Sequence, residues 1–268
     1  MRPVRLRFTT DTKLPVDARA LTPAGLAGRP AAELAALPLL VGNRKVPLGE
    51  LAEVVAGDAD TLIIEGAFPG LDRLGFGMEA GRLEIYGDVG AYLGQGMGGG
   101  RIELFGSAGV YAAASMRGGT LHIAAHAGDF LGGALPGDAA GMLEGTVLVG
   151  GDAGERVGDR MRRGLIAVRG RLGDHAASRM IGGTIAALAG CGTDPGYAMR
   201  RGTLYLGRAP ANLLATFAAN GAHELPWLRL LARQLAGQDP AVDLPSLRAG
   251  RWTGCASVGG KGEILVAD

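Results

Sequence analysis

The chain has 268 residues, 47% of them hydrophobic, enough for a sizeable core in one large domain or two ordinary ones. Lys plus Arg number 27 against 26 for Asp plus Glu, so the net charge of +1 supplies no bulk field for nucleic acid or an anionic membrane, and 5% aromatic content argues against base stacking. The 48 glycines follow no Gly-X-Y triplet, which excludes a collagen-like chain and makes glycine a marker of turns.

Residues 1–57 are expected to form a small α+β flank. A strand over Val4 to Thr9 and a helix over Pro30 to Leu37 lead through a Pro/Gly-rich connection to LGELAEVVAGD. The segment from Met1 to Thr10 lacks the apolar stretch of a signal peptide and no run approaches the roughly 18 apolar residues of a membrane span, so a cytoplasmic protein is expected.

Residues 58–208 carry a repeat. Methionine recurs at Met78, Met97, Met116, Met142, Met161, Met180 and Met199, a spacing of 19 residues interrupted once by 26. Three residues after each comes glycine (Gly81 through Gly202), followed by inward-type residues at alternate positions such as Leu83 and Ile85 or Ile102 and Leu104. That period-two run is a strand with one buried face. The residues between them (Glu84, Glu103, His122, Leu148, Ala167, Ala186, Tyr205) are assigned to the outer face. A second glycine stands twelve residues after each of the first six methionines, marking a corner where φ is positive or backbones approach closely.

A 19-residue unit with one clear strand cannot bury its own apolar face, whereas stacked copies bury a continuous column. The expected fold is therefore a parallel right-handed β-helix of about seven to eight coils, with strands about 4.8 Å apart and a length of roughly 30 to 40 Å. Asp60 to Gly66 reads as a degenerate first coil. The insertion at Leu135 to Gly141 breaks the ladder and should project as a tolerated loop or as a contact with another polypeptide of an assembly. Residues 209–268 are expected to cap the column. Asn212 to Gly237 reads as two helices broken near Gly221 and Pro226, with Leu213, Leu214, Phe217, Trp227, Leu228, Leu231 and Leu235 on one stripe, before a strand-like GEILVA.

Few residues suggest chemistry. Gly94, Gly96 and Gly99 form GxGxxG, but they sit at the glycine phases of the repeat with no crossover helix after them, which argues against a pyrophosphate cradle. His122 and His126 have helical metal-ligand spacing, yet the repeat places the first on a strand's outer face and the second at a turn, favouring solvated side chains over a metal site. Cys191 takes a small core position, and Cys255 lies outside the repeat. No catalytic residue, cofactor site or metal site is nominated. The outward column Tyr92, Tyr111, Phe130 and His175, all at one phase, is the candidate interface.

The phrase MEAGRLEIYGDVGAYLGQGM, echoed in MRRGLIAVRGRLGDHAASRM, resembles the C subunit of formylmethanofuran dehydrogenase and the C-terminal domain of glutamate synthase large subunits. With LPLLVGNRK, LGELAEV, the Gly141-Met142 pair and GEILVA, the first resemblance covers nearly the whole chain. It implies a β-helical, non-catalytic subunit with A, B and D partners. Their setting would be a bacterial formyltransferase/hydrolase complex, which moves formyl groups between tetrahydromethanopterin and methanofuran and releases formate, or a molybdenum or tungsten dehydrogenase. Any hydrolase metal and methanofuran would then reside in partner subunits. Arg-dominated basic charge, with lysine only at Lys13, Lys45 and Lys261, suits a GC-rich bacterial genome and so the first setting. An independent β-helix enzyme is the remaining alternative. A left-handed acyltransferase solenoid needs a period of about 18 residues in hexapeptides, and a lyase groove needs an acidic cluster that the sequence lacks.

Overall fold

The computed structural model describes residues 2–268. Each methionine-phased repeat contributes one strand: Arg82–Gly87, Arg101–Phe105, Arg117–Ile123, Glu144–Val149, Leu165–Val168, Thr184–Ala187 and Thr203–Leu206. Neighbours pair in parallel at constant phase, so Leu83 lies beside Ile102, Leu121 beside Val147, and Ile185 beside Leu204. Because the phase is conserved, apolar side chains stack directly on one another, and these residues together with all seven methionines form the main core.

The ladder extends beyond the repeat in both directions. Thr61–Ala67, the degenerate first unit, pairs with Arg82–Gly87, and Val4–Phe8 adds a further parallel strand before Ala52–Val55 ends that edge antiparallel. At the other end Gly262–Ala267 pairs parallel with Thr203–Leu206, followed by antiparallel Arg248–Gly254 and Ala218–Glu224. The result is one open sheet of 13 strands. Sheet pairing thus crosses both expected segment boundaries, at 57/58 and at 208/209. A second sheet of 4 strands (Arg44–Pro47, Pro38–Val41, Val16–Asp17, Leu71–Asp72) and two short helices, Pro23–Leu26 and Ala31–Ala35, complete the N-terminal flank. The first helix is capped by Thr22, whose Oγ1 accepts the Gly25 N–H at 3.2 Å.

The two glycine phases serve different ends. Three residues after methionine, φ lies in the left-handed region, as at Gly164 (φ 96°). Twelve residues after methionine, none of the glycines has positive φ, and what excludes a side chain is close stacking: a Cβ on Gly173 would sit 2.7 Å from the Gly154 carbonyl carbon. A parallel ladder of single bridges runs through the neighbouring residues Val89, Ala108, Ala127, Ala153 and Leu172. The left-handed corner follows it, at alternate residues such as His175, Ala177 and Arg179.

Two expectations about the C-terminal third are corrected. The residues before Pro226 form no helix: Leu213, Leu214 and Phe217 pack on the end of the main core, and Ala218–Glu224 is a strand. The free edge of Arg248–Gly254 offers unpaired backbone groups that this segment satisfies, and the register shift between Ala219 and Ala222 is absorbed by Gly221 at φ 76°. Local propensity yields here to sheet pairing. Only Pro226–Ala236 is helical, with Pro226 in its first turn.

The second correction concerns the outer face. Leu148, Ala167, Ala186 and Tyr205 are buried, because the Pro226–Ala236 helix lays Leu228, Leu231 and Leu235 over them to make a second core with Val242 and Leu265. The C-terminal segment therefore covers the flank of the sheet as well as its end. Tyr205, 0% exposed, keeps its hydroxyl satisfied by donating to the Ser246 carbonyl at 2.8 Å.

The insertion departs as expected. The chain leaves the ladder after Ala134, whose N–H donates to the Asp159 carbonyl, and rejoins at Gly141, whose N–H donates to the Arg160 carbonyl. Pro136 to Ala139 between them are exposed.

Candidate interaction surface

Side chains at one phase of a stacked repeat recur at the strand spacing of about 4.8 Å, so planar groups there meet face to face. Tyr92 and Tyr111 stack with ring centroids 5.6 Å apart and planes 12° from parallel, and Tyr111 and Phe130 stack at 4.7 Å and 13°. Arg73 lies 4.8 Å from the Tyr92 ring and Arg156 lies 6.0 Å from the Phe130 ring, so a guanidinium closes each end of the aromatic stack. His175 holds the same phase but follows Arg156, one repeat beyond the stack. All six are half-buried, and all have left-handed φ, from 55° at Arg156 to 65° at Tyr92. Each such non-glycine residue costs about 1 kcal/mol. Burial, the neighbouring Tyr92 and Asp159 push the Tyr111 hydroxyl pKa up.

Sequence reasoning found the aromatic members and missed both arginines. The signal was present, since Arg156 stands fourteen residues after Met142 as Phe130 does after Met116. It also missed the stacked pair Tyr86 and Phe105, with centroids 4.7 Å apart and 42% and 45% exposed, one phase outside the strands' buried positions.

The other candidates lie within the repeat or the main core. His126 Nδ1 accepts the Asp152 N–H at 3.0 Å, in a ladder where Asp88 accepts from Ser107 N–H at 2.7 Å and Asp152 from Arg171 N–H at 2.8 Å. His122 is half-buried on the outer face, and burial pushes its pKa down. Gly94 and Gly96 are left-handed turn residues, and the next element is the Arg101–Phe105 strand. Cys191 is buried in the main core, where burial pushes its thiol up to about 12. Cys255 is buried with Sγ 3.0 Å from Thr216 Oγ1 and 2.9 Å from Ser257 Oγ. Burial raises its pKa, but its hydrogen bonding with Ser257 and Thr216 outweighs that and holds the thiol below its usual range. Among the described residues no group of three His, Cys, Asp or Glu side chains could hold a metal, and no helix is long and apolar enough to cross a membrane.

On the strands Arg82–Gly87 and Arg101–Phe105 the outer face is charged. Arg101 Nε donates to Glu103 Oε1 at 2.8 Å, Arg82 bonds the other oxygen, and Arg101 reaches Asp239 of the C-terminal segment at 3.3 Å. Burial of Glu103 raises its pKa, but Arg101 and Arg82 outweigh it and hold the carboxyl below the usual range. A depressed carboxylate stabilises the fold above its unfolded pKa of about 4.3, and that stabilisation is lost as pH falls through the lower folded value. Glu103→Gln is expected to be less stable than the parent at pH 7, with the gap narrowing below pH 4 in thermal melts. A constant gap across that range would contradict the assignment.

No family model matches the chain. It is similar to the C subunit of the formyltransferase/hydrolase complex Fhc of Methylorubrum extorquens, 41% identical over 88 residues, which are 33% of either chain. It is also similar to the C subunit of the molybdenum-containing formylmethanofuran dehydrogenase 1 of Methanothermobacter wolfeii, 36% identical over 86 residues, 31% of this chain and 22% of that one. The matched segments thus span a third or less of these curated relatives. Over the full length, the chain superposes on a chain of the crystal structure of the formyltransferase/hydrolase complex (FhcABCD) from Methylorubrum extorquens in complex with methylofuran. There the TM-score is 0.91 and identity 39%, covering 98% of this chain and 99% of that one.

Proposed function

Since the chain belongs to the C-subunit family shared by formyltransferase/hydrolase complexes and formylmethanofuran dehydrogenases, we propose that it is the C subunit of a formyltransferase/hydrolase complex. In this reading it assembles with A, B and D subunits in the cytoplasm. It holds them without contributing catalytic residues, while methanofuran and the hydrolase metal are bound by its partners. The complex transfers a formyl group between tetrahydromethanopterin and methanofuran and hydrolyses formylmethanofuran to formate. The observation that carries the reading is the end-to-end likeness to a chain of that complex, at 39% identity. The parallel pairing of successive repeats and the second bridge ladder support a finer description of the repeats as coils of a right-handed β-helix.

The stack of Tyr92, Tyr111 and Phe130, with His175 beyond it, is the surface proposed to meet a partner. Half-buried aromatic rings flanked by arginines are the residue types that dominate interface energetics. The test is co-expression with the A, B and D subunits. The chain alone should show no hydrolase or transferase activity, and the assembled complex should show both. Tyr111→Asp combined with Phe130→Asp should lower recovery of the complex by roughly tenfold or more, as loss of about 1.4 kcal/mol implies. Full activity of the isolated chain would overturn the non-catalytic role, and undiminished assembly of the double variant would overturn the interface. The similarity to a dehydrogenase relative favours a second reading, the C subunit of a molybdenum or tungsten enzyme. Metal- and cluster-ligating cysteines in the B-type partner would decide for it.

A further inference from the structure

The seven-residue insertion stands where the repeat becomes arginine-rich. Arg160, Arg179 and Arg200 line one recess of about 360 Å³, walled by Ala139 of the insertion and Val258 of the C-terminal turn, with Ile181 between them. The placement follows from the hydrogen bonds that pin the insertion's ends. The chain leaves the ladder opposite Asp159 and rejoins opposite Arg160, so its exposed segment overhangs that arginine.

The three charges differ in their partners. Arg179 is neutralised by Asp159, 2% exposed, through two bonds of 2.8 and 2.6 Å. Arg160 uses one N–H on the Asp138 carbonyl at 2.9 Å, and the Asp138 carboxylate is instead engaged by Ser115 Oγ at 3.4 Å. Among the described residues neither Arg160 nor Arg200 forms an ion pair. Two guanidinium groups without ion-pair partners therefore share a recess whose other walls are largely apolar, an arrangement that favours an anion between them. Arg160 and Arg179 also adopt φ of 55° and 53° at a phase held without strain by Gly77 and Gly96 in earlier repeats.

We infer that this recess binds a small organic anion, its carboxylate or phosphate held by Arg160 and Arg200 and its hydrocarbon body against Ile181 and Val258. Guanidinium forks match both oxyanions bidentately, and the volume lies at the small end of the ligand-pocket range of about 300 to 1,000 Å³. An extended acidic peptide needs an open groove, which the overhanging insertion interrupts.

The test is calorimetric titration of the full chain with glutarate and, separately, inorganic phosphate at low ionic strength. Saturable binding of at least one probe is expected, weakened tenfold or more by Arg200→Gln and by Arg160→Gln and unchanged by Arg208→Gln. Because Arg200 is exposed, its variant keeps the measurement independent of folding. Non-saturable heats, or equal binding by all variants, would overturn the inference. So would binding to the free chain that vanishes in the assembled complex, since a partner's carboxylate would then be the occupant.

Discussion

Gly173→Ala is expected to destabilise the protein by about 3 kcal/mol or more, near the upper range for overpacking, while Gly96→Ala costs only about 1 kcal/mol. The two substitutions add the same methyl group to different constraints. At Gly173 the new Cβ would meet backbone, 2.7 Å from the Gly154 carbonyl carbon and 2.8 Å from the Glu155 nitrogen. Its own N–H donates to both Ala153 and Gly154 carbonyls at 3.0 and 2.9 Å, so it cannot move away without opening the bridge ladder. Relief requires neighbouring repeats to separate, which disturbs the apolar stack on both sides. At Gly96 nothing lies within 4 Å of the added atom, and the cost is the left-handed φ of 66° alone. Thermal melts of both variants distinguish the mechanisms. Equal losses would mean that close stacking is not what the first glycine serves.

Leu231→Asp should release the C-terminal segment from the flank of the sheet, with a loss of about 3 kcal/mol or more, the scale for emptying a buried leucine site with a buried charge added. Leu231 sits between Leu228 and Leu235 on the buried stripe of the Pro226–Ala236 helix, over Leu148, Ala167, Ala186 and Tyr205. A carboxylate there is set among apolar side chains, with Arg163 the cationic group of the adjoining cleft. Trypsin should then cut first at Arg229 and Arg233, while the strands of the repeat stay protected. Leu230→Asp, at a position 66% exposed on the opposite side of the same helix, is the control and should change stability by less than about 0.5 kcal/mol. A melt unchanged by Leu231→Asp, with no new cleavage, would contradict the second core.

Much of the fold was legible because a repeat turns a three-dimensional problem into a one-dimensional one. The 19-residue phase identified the strand in every unit, the inward pairs such as Ile166 and Val168, the core place of Cys191 and the turn phase of Gly94 and Gly96. It also brought Tyr92, Tyr111 and Phe130 to one column, and stacking follows from that phase. What phase could not supply was the partner of each position. Both roles open to the glycine at Gly173 are compatible with its sequence, and only the neighbouring repeat's backbone at contact distance distinguishes them. Arg160 and Arg200 likewise line a recess only because the insertion and the tail turn supply its walls.

The clearest division runs along the strand positions midway between the inward residues. From Glu84 to Tyr205 they share one phase and one orientation, and the sequence by itself determined that orientation, since alternation is a local property of extended backbone. Whether such a residue meets water or apolar side chains was decided only by the tertiary structure. Leu148, Ala167, Ala186 and Tyr205 are interior because a helix later in the chain folds back over them, whereas Glu103 is buried against its partners Arg82 and Arg101 and His122 stays half-buried. Burial depends on what covers each position, a distant helix or neighbouring arginine side chains, which neither alternation nor period encodes.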